Sequence, residues 1–325
     1  MTEKSLLIAD IGGTNARFAL AHPDQSGYQG EQILKCADFN TPEDAMRHYL
    51  EQAGIGNPDA ICLAVAGPVI NGSVEFTNSN WHLREQELST AFGGVSTRVV
   101  NDFEAMAYSL PRLPTDDLAI VGLEALPALN ERNFTVGVIG PGTGLGGATL
   151  AARNGIQFSL CSEVGRVGFS PETALQKAVW EVLRHRFGRV SAERMVSGSG
   201  IENIYTALSE IHDQHVQPTS AAEIFGQTHE NNLARETISL FFAMLGQVAG
   251  NFALATGAFD GIYIGGGIVQ RYESQLMESG FRAGFENKGR HRYLMEQIPV
   301  ALIRNKHPGL IGAVAVASEL LGSNA

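Results

Sequence analysis

The sequence predicts an α/β protein of two domains flanking a cleft, and three observations carry that expectation. The first is length, because 325 residues exceed one ordinary compact domain. The second is alternation of short apolar runs of strand length with longer stretches of helical periodicity. The third is repetition: a strand, a glycine turn and a second strand occur twice. Asp10-Ile11-Gly12-Gly13-Thr14 at the start corresponds to Gly140-Pro141-Gly142-Thr143-Gly144 further on.

Residues 6–9 and 16–21 read as strands joined by the first glycine turn. Thr41-Pro42-Glu43-Asp44 supplies a cap, a proline at the first helical position and acids in the first turn, and Gly54 closes that helix. Strands follow at 60–66 and 97–100, the second ending at Asn101-Asp102, and a helix at 103–110. Beyond Pro111 the pattern restarts with strands at 134–139 and 148–152, Asn154-Gly155 as a hairpin turn, and a strand at 157–160. Helices are expected at 172–186, 192–210 and 233–255, and a strand at 261–264 meets a third cluster, Gly265-Gly266-Gly267. The expected domains are a small one, 1–112 with 307–325, and a large one, 113–306.

Apolar residues make up 44% and charged residues 18%, the balance of a globular chain. A net charge of -11 without any Lys/Arg run argues against a nucleic-acid partner, which needs a basic face. Acidity does not exclude ATP, since backbone N–H groups and a metal ion hold phosphates. Cys36, Cys62 and Cys161 form no CxxC pair and suit a reducing, cytoplasmic setting, and the N-terminus has no export signal. Residues 237–259 carry no charge, and Gly246 and Gly250 have the GxxxG spacing of membrane helix pairs. Gln247, Asn251 and Thr256 interrupt the run and Gly257 stands where a C-cap belongs, so a buried helix and no membrane are expected.

Gly142-Thr143-Gly144-Leu145-Gly146-Gly147 contains GxGxxG, and Glu163 lies about where a dinucleotide fold keeps its ribose-binding acid. That fingerprint needs a helix to start inside the glycines, and a strand follows here instead. No GxxxxGK[ST] occurs, which excludes a P-loop. Two glycine hairpins suit a different task, offering backbone N–H groups to phosphates, with hydroxyls from Thr14 and Thr143. Tight turns alone account equally well for any one of the clusters; three in this layout shift the balance.

Asp10-Ile11-Gly12-Gly13-Thr14-Asn15-Ala16-Arg17, Asn101-Asp102-Phe103, the second glycine turn, Ser191-Ala192-Glu193-Arg194, Gly265-Gly266-Gly267-Ile268-Val269 and His307-Pro308-Gly309-Leu310 together resemble the bacterial glucokinase family over nearly the whole chain. The resemblance implies two ribonuclease-H-like, actin-like ATPase domains, ATP and Mg²⁺ as cofactors, a hexose substrate and a homodimer. It places Asp10, Gly12, Gly13, Thr14 and Asn15 at the phosphates, with Asp10 acting on Mg²⁺ through water. Gly142, Thr143 and Gly144 would hold the β- and γ-phosphates, and Gly265, Gly266 and Gly267 the adenosine. Asn101, Asp102, Glu163 and Glu193 match the family's sugar positions, with Asp102 as catalytic base.

Taken alone, Asp102 reads as the N-cap of the helix it precedes, and a helix N-terminus should hold its pKa low. Glu193 reads as a first-turn acid behind Ser191, whereas Glu163 has no cap context. Where the family has Glu-Gly-Gly-His, this chain has Glu163-Val164-Gly165-Arg166. Arg166 either pairs with an acid such as Glu193 or selects an acceptor bearing an anionic group, and Val164 is expected to crowd the sugar. A kinase for another sugar and an impaired sugar-binding homologue are therefore the alternatives to a glucokinase.

Overall fold

The apolar run Leu6–Ala9 lies in the strand Leu6–Ile11, which is buried along nearly its whole length, the mark of a central position in a sheet covered on both faces. The computed structural model describes residues 4–23, 27–76, 81–122, 126, 129 and 132–322. They divide into two compact units: Met1–Asp117 with Ser159–Cys161 and Asn305–Ala325, and Leu118–Phe158 with Ser162–Arg304.

The first unit is built on five strands, β1 (Leu6–Ile11), β2 (Asn15–Ala21), β3 (Tyr28–Lys35), β4 (Ala60–Val65) and β5 (Ser96–Asn101). Their order is β3-β2-β1-β4-β5, with β2 antiparallel to β1 and β4 and β5 parallel to it. Thr41 caps the helix Pro42–Gln52 by accepting from the Asp44 N–H. The helix Asp102–Ser109 starts directly from β5, and the C-terminal helix Pro308–Gly322 packs on it.

The second unit repeats this plan with β6 (Leu118–Ile120), β7 (Asn133–Pro141), β8 (Leu145–Arg153), β9 (Ile156–Ser162), β10 (Gly261–Ile264) and β11 (Val300–Ile303). Its order is β9-β8-β7-β10-β11-β6, so the first five match the first unit's sheet strand for strand and β6 is an addition. The duplication expected from the two glycine turns is therefore a duplication of topology, the ribonuclease-H-like one. A strand, β8, begins inside the Gly142–Gly147 run, so no helix N-terminus faces a dinucleotide.

Several elements differ from their expected form, among them a split helix and strands that were not expected, β3, β6 and β11. The single helix expected at 192–210 is two, Ala192–Met195 and Gly198–Ile211, because Ser197 turns its hydroxyl to accept from the Gly200 N–H and starts a new helix. The edge strand β3 has no counterpart among the expected strands, since its exposed, mostly polar face weakens the apolar pattern.

The uncharged run forms the 25-residue helix Asn232–Thr256, mostly buried in the second unit and ended by Gly257 in the left-handed conformation. Its GxxxG pair serves packing inside this fold. A Cβ on Gly246 would collide with the carbonyl oxygen of Phe281, and one on Gly250 with that of Phe285. The helix Phe281–Glu286 lies directly on these two glycines. Alanine normally stabilises a helix interior by about 1 kcal/mol over glycine, but overpacking a rigid backbone costs about 1–3 kcal/mol or more. Gly246→Ala is expected to lower the melting temperature by several degrees. Gly309→Ala, which meets nothing within 4 Å, leaves it unchanged or slightly raised; thermal unfolding of both variants checks this.

Candidate active site

In the first unit, β1 and β2 are hydrogen-bonded up to Ile11 and Ala16, and the turn between them is closed by the Gly12 N–H donating to the Asn15 carbonyl at 2.9 Å. Gly13 and Thr14 stand at its tip, with Thr14 exposed. Asp10 lies directly across the ladder from Arg17. Burial pushes the Asp10 carboxyl up, while Arg17 and His307 pull it back down. Arg17 is also paired with Glu31 and lies 3.3 Å from His307 Nε2.

Asn101 and Asp102 sit where β5 passes into its helix. The cap is Asn101 and not Asp102: the Asn101 side-chain oxygen accepts from the Phe103 N–H at 2.9 Å, and its amide donates to the Gly67 carbonyl at 2.9 Å. Asp102 takes the first helical position, and its carboxylate also accepts from the Phe103 N–H at 2.9 Å. The expectation of a low pKa fails. Burial pushes Asp102 up to about 6, the Phe103 N–H pulls it down, and the nearby Asp10 charge raises it again. Removal from water outweighs the hydrogen bonds the carboxylate receives from the Phe103 N–H, the Asn101 side chain and its own N–H. Asp102 remains mostly ionised at pH 7 and is a stronger base than a surface aspartate.

In the second unit, the turn Gly142–Gly144 is closed by the Gly142 N–H donating to the Gly144 carbonyl at 2.8 Å, and Thr143 is exposed at its tip as Thr14 is at the first. Glu193 is held against this turn. One carboxylate oxygen accepts from the Leu145 N–H at 3.1 Å and the other from Arg166 at 2.8 Å. A Cβ on Gly144 would come within 2.5 Å of that carboxylate and would force it to move. Arg166 thus takes the plainer of its two expected roles. Its side chain is 67% exposed, so the pair adds little stability but fixes where Glu193 points.

Glu163 is exposed and precedes a short 3-10 turn, Val164–Arg166, with no capping hydrogen bond. Val164 packs against Gly147 at the edge of the second unit's core and also lines a pocket beside Glu163. An apolar pocket of about 510 Å³, walled by Val164, Phe169, Val248 and Phe252, borders Glu163.

Gly266 has φ 97°, and a Cβ there would meet the Pro141 carbonyl oxygen at 2.6 Å, so the third glycine cluster is pressed against the strand that leads into the second turn. Gly265 donates to the Ile139 carbonyl, and Gly267 opens the helix Gly267–Arg271. Beside them is a pocket of about 470 Å³ whose walls include Thr143, Ala221, Phe225 and Tyr272, the last two rings stacked 3.6 Å apart. Sequence motifs pointed to its glycines but not to its aromatic wall, because Phe225 and Tyr272 belong to no motif and meet only in the fold.

A glucokinase family model matches residues 7–320. The chain belongs to the glucokinase family. It is 40% identical over 316 residues to a glucokinase of Caulobacter sp. (strain K31), covering 94% of this chain and 93% of that protein. It is also 40% identical over 322 residues to one of Xanthomonas campestris pv. campestris (strain B100), covering 97% and 96%. Among solved structures, a glucokinase from an Antarctic psychrotroph superposes with a TM-score of 0.89 at 36% identity, covering 97% of this chain and 99% of that one. Membership in the glucokinase family brings with it the question of Mg²⁺. No cluster of three or more His, Cys, Asp or Glu side chains that could cage a metal occurs among the described residues. That suits an ion held by a single carboxylate, water and substrate phosphates, the usual habit of Mg²⁺, and Asp10 fits the carboxylate's place.

Because its pKa is raised in the fold, ionised Asp102 costs stability above about pH 6, and the cost fades as pH falls through 6 toward 4. Asp102→Asn, which keeps an oxygen for the Phe103 N–H, is expected to raise the melting temperature by a few degrees at pH 7.5 and by much less at pH 4.5. Paired thermal melts at the two values check it.

Proposed function

We propose that this chain transfers the γ-phosphoryl group of ATP to the 6-hydroxyl of a hexose, with glucose as the acceptor. The observation that carries the reading is Asp102, a carboxylate at a strand-to-helix junction pushed by burial to about 6, in a chain of the glucokinase family. The sugar O6–H gives its proton to Asp102, an O6 lone pair forms the bond to the γ-phosphorus, and the bond from that phosphorus to the β-phosphate oxygen breaks. ADP leaves, and Asp102 returns its proton to water.

Phosphoryl transfer depends mainly on positioning and charge stabilisation, so a base of this strength suffices. In our reading the tip amides and threonine hydroxyls of the two turns hold the phosphates, and Gly265, Gly266 and Gly267 admit the adenosine. Bound Mg²⁺ supplies neutralising charge to the phosphates, and Asp10 holds it through water. Asn101, Glu163 and Glu193 bind sugar hydroxyls; a buried carboxylate left without its hydroxyl is costly, which is how such a site rejects deoxy sugars. The alternative of an anionic acceptor is not favoured, because the Arg166 guanidinium is engaged by Glu193. We further propose a cytoplasmic homodimer, which light scattering on the purified protein tests for assembly.

ADP release across glucose, glucosamine and gluconate tests the acceptor: glucose is expected to be turned over best, and a preference for gluconate overturns the reading. Asp102→Asn is expected to keep nucleotide binding and lose two to four orders of magnitude in kcat, the usual scale of a lost general base. In the natural protein kcat/KM should be level above pH 7 and fall about tenfold per unit below pH 6, as the base becomes protonated.

A further inference from the structure

Six arginines of the second unit pair with a carboxylate: Arg166 with Glu193, Arg184 with Glu181, Arg186 with Glu210, Arg282 with Glu286, Arg292 with Glu296 and Arg304 with Glu273. Arg271 makes no hydrogen bond or ion pair to the described residues. The acid nearest to it in sequence, Glu273, is already taken by Arg304. Yet Arg271 is placed where a charge matters. It lines the 470 Å³ pocket beside Thr143 and Gly267 and is, among the described residues, the only charged side chain to do so. It stands four residues after Gly267 on the same short helix, which puts the two on one face, a turn apart. Tyr272, the next residue, stacks on Phe225 and forms the apolar wall.

The pocket therefore has a polar end at the Gly142–Gly144 turn, an apolar aromatic wall, and one unpartnered guanidinium. In a chain with 34 acidic and 23 basic residues, an unpaired cation lining a pocket free of carboxylates marks the place of an anion. A nucleotide fits this order of chemistry, with its β- and γ-phosphates at the turn and its base toward the aromatic wall. The α-phosphate falls between them. We propose that Arg271 is the phosphate-binding cation of this pocket, donating to the α-phosphate of the nucleotide. The proposal rests on the nucleotide reading given above and deepens it. The glycine turns supply only backbone amides and hydroxyls to the phosphates, and this chain lacks the lysine that a P-loop would add. Arg271 fills that lack with a fork suited to phosphate oxygens.

Calorimetric titration of ADP, AMP and adenosine into the natural protein, Arg271→Ala and Arg271→Lys tests the assignment. Arg271 is exposed, so both variants should fold, and circular dichroism and the affinity for glucose confirm it. We expect Arg271→Ala to bind ADP and AMP at least tenfold more weakly. Adenosine, which has no phosphate, should stay within twofold, and Arg271→Lys should fall between, keeping the charge but losing the fork. An ADP affinity within threefold of the natural protein in Arg271→Ala overturns the proposal. So does an equal weakening of adenosine, which would place the arginine at the sugar or base. If adenosine binds too weakly to measure, loss of ADP affinity with glucose affinity unchanged within twofold stands in its place. Failure of the natural protein to bind ADP at all overturns the nucleotide reading itself, a result distinct from an arginine that makes no difference.

Discussion

The constraint on which the rest of this structure depends is the short glycine turn between β1 and β2 in the first sheet and between β7 and β8 in the second. In both sheets the strands are hydrogen-bonded to the edge of the turn, Ile11 to Ala16 and Pro141 to Leu145. The chain has no slack there, and each turn leaves a threonine exposed at its tip. Within the turns a Cβ would have room, since one on Gly142 meets nothing within 4 Å and one on Gly12 only the Asn15 carbonyl at 3.7 Å, and the close approaches lie around the second turn. Gly144 makes room for Glu193, and Gly266 makes room for the strand end at Pro141. At Gly266, a glycine of the third cluster, the packing of the fold itself asks for the residue that the motif contains.

At Asp102 two opposing effects act on one carboxylate, and their sizes decide the outcome. A helix start favours the ionised form, but the effect is worth at most about 1–2 kcal/mol and needs several amides or good exposure to the dipole. Asp102 shares the Phe103 N–H with Asn101, which holds the cap, and it lies near the negative charge of Asp10. Burial therefore prevails. The consequence for a phosphoryl-transfer reading is a base poised just below neutral pH, ionised when substrate arrives yet with enough affinity to take its proton.

Glu193 shows how a residue read as a helix ornament acquires a different duty. Its helix is only four residues long and offers little dipole to complement. The carboxylate instead ties the second turn, through the Leu145 amide, to the turn that carries Arg166. Each carboxylate oxygen keeps a free lone pair, so the same anchoring that fixes Glu193 leaves it able to accept from a ligand. Val164 is the complementary case, a larger residue that packs against Gly147 at the edge of the core while also walling the pocket beside Glu163.

Much of this protein was determined by sequence alone, and for a common reason: the deciding interactions are local. The cap at Thr41, the left-handed stop at Gly257, the strand after Gly142 and the repeated turn all follow from neighbours within a few residues. The family was legible as well, because its motifs are short and contiguous. What tertiary structure alone decided are the contacts between residues far apart in the chain. These are the pairing of Arg166 with Glu193, the stacking of Phe225 on Tyr272, the seating of Gly246 and Gly250 on Phe281 and Phe285, and the burial that lifts Asp102. Desolvation depends on how much protein surrounds a group from every direction, and no pattern along a chain records that.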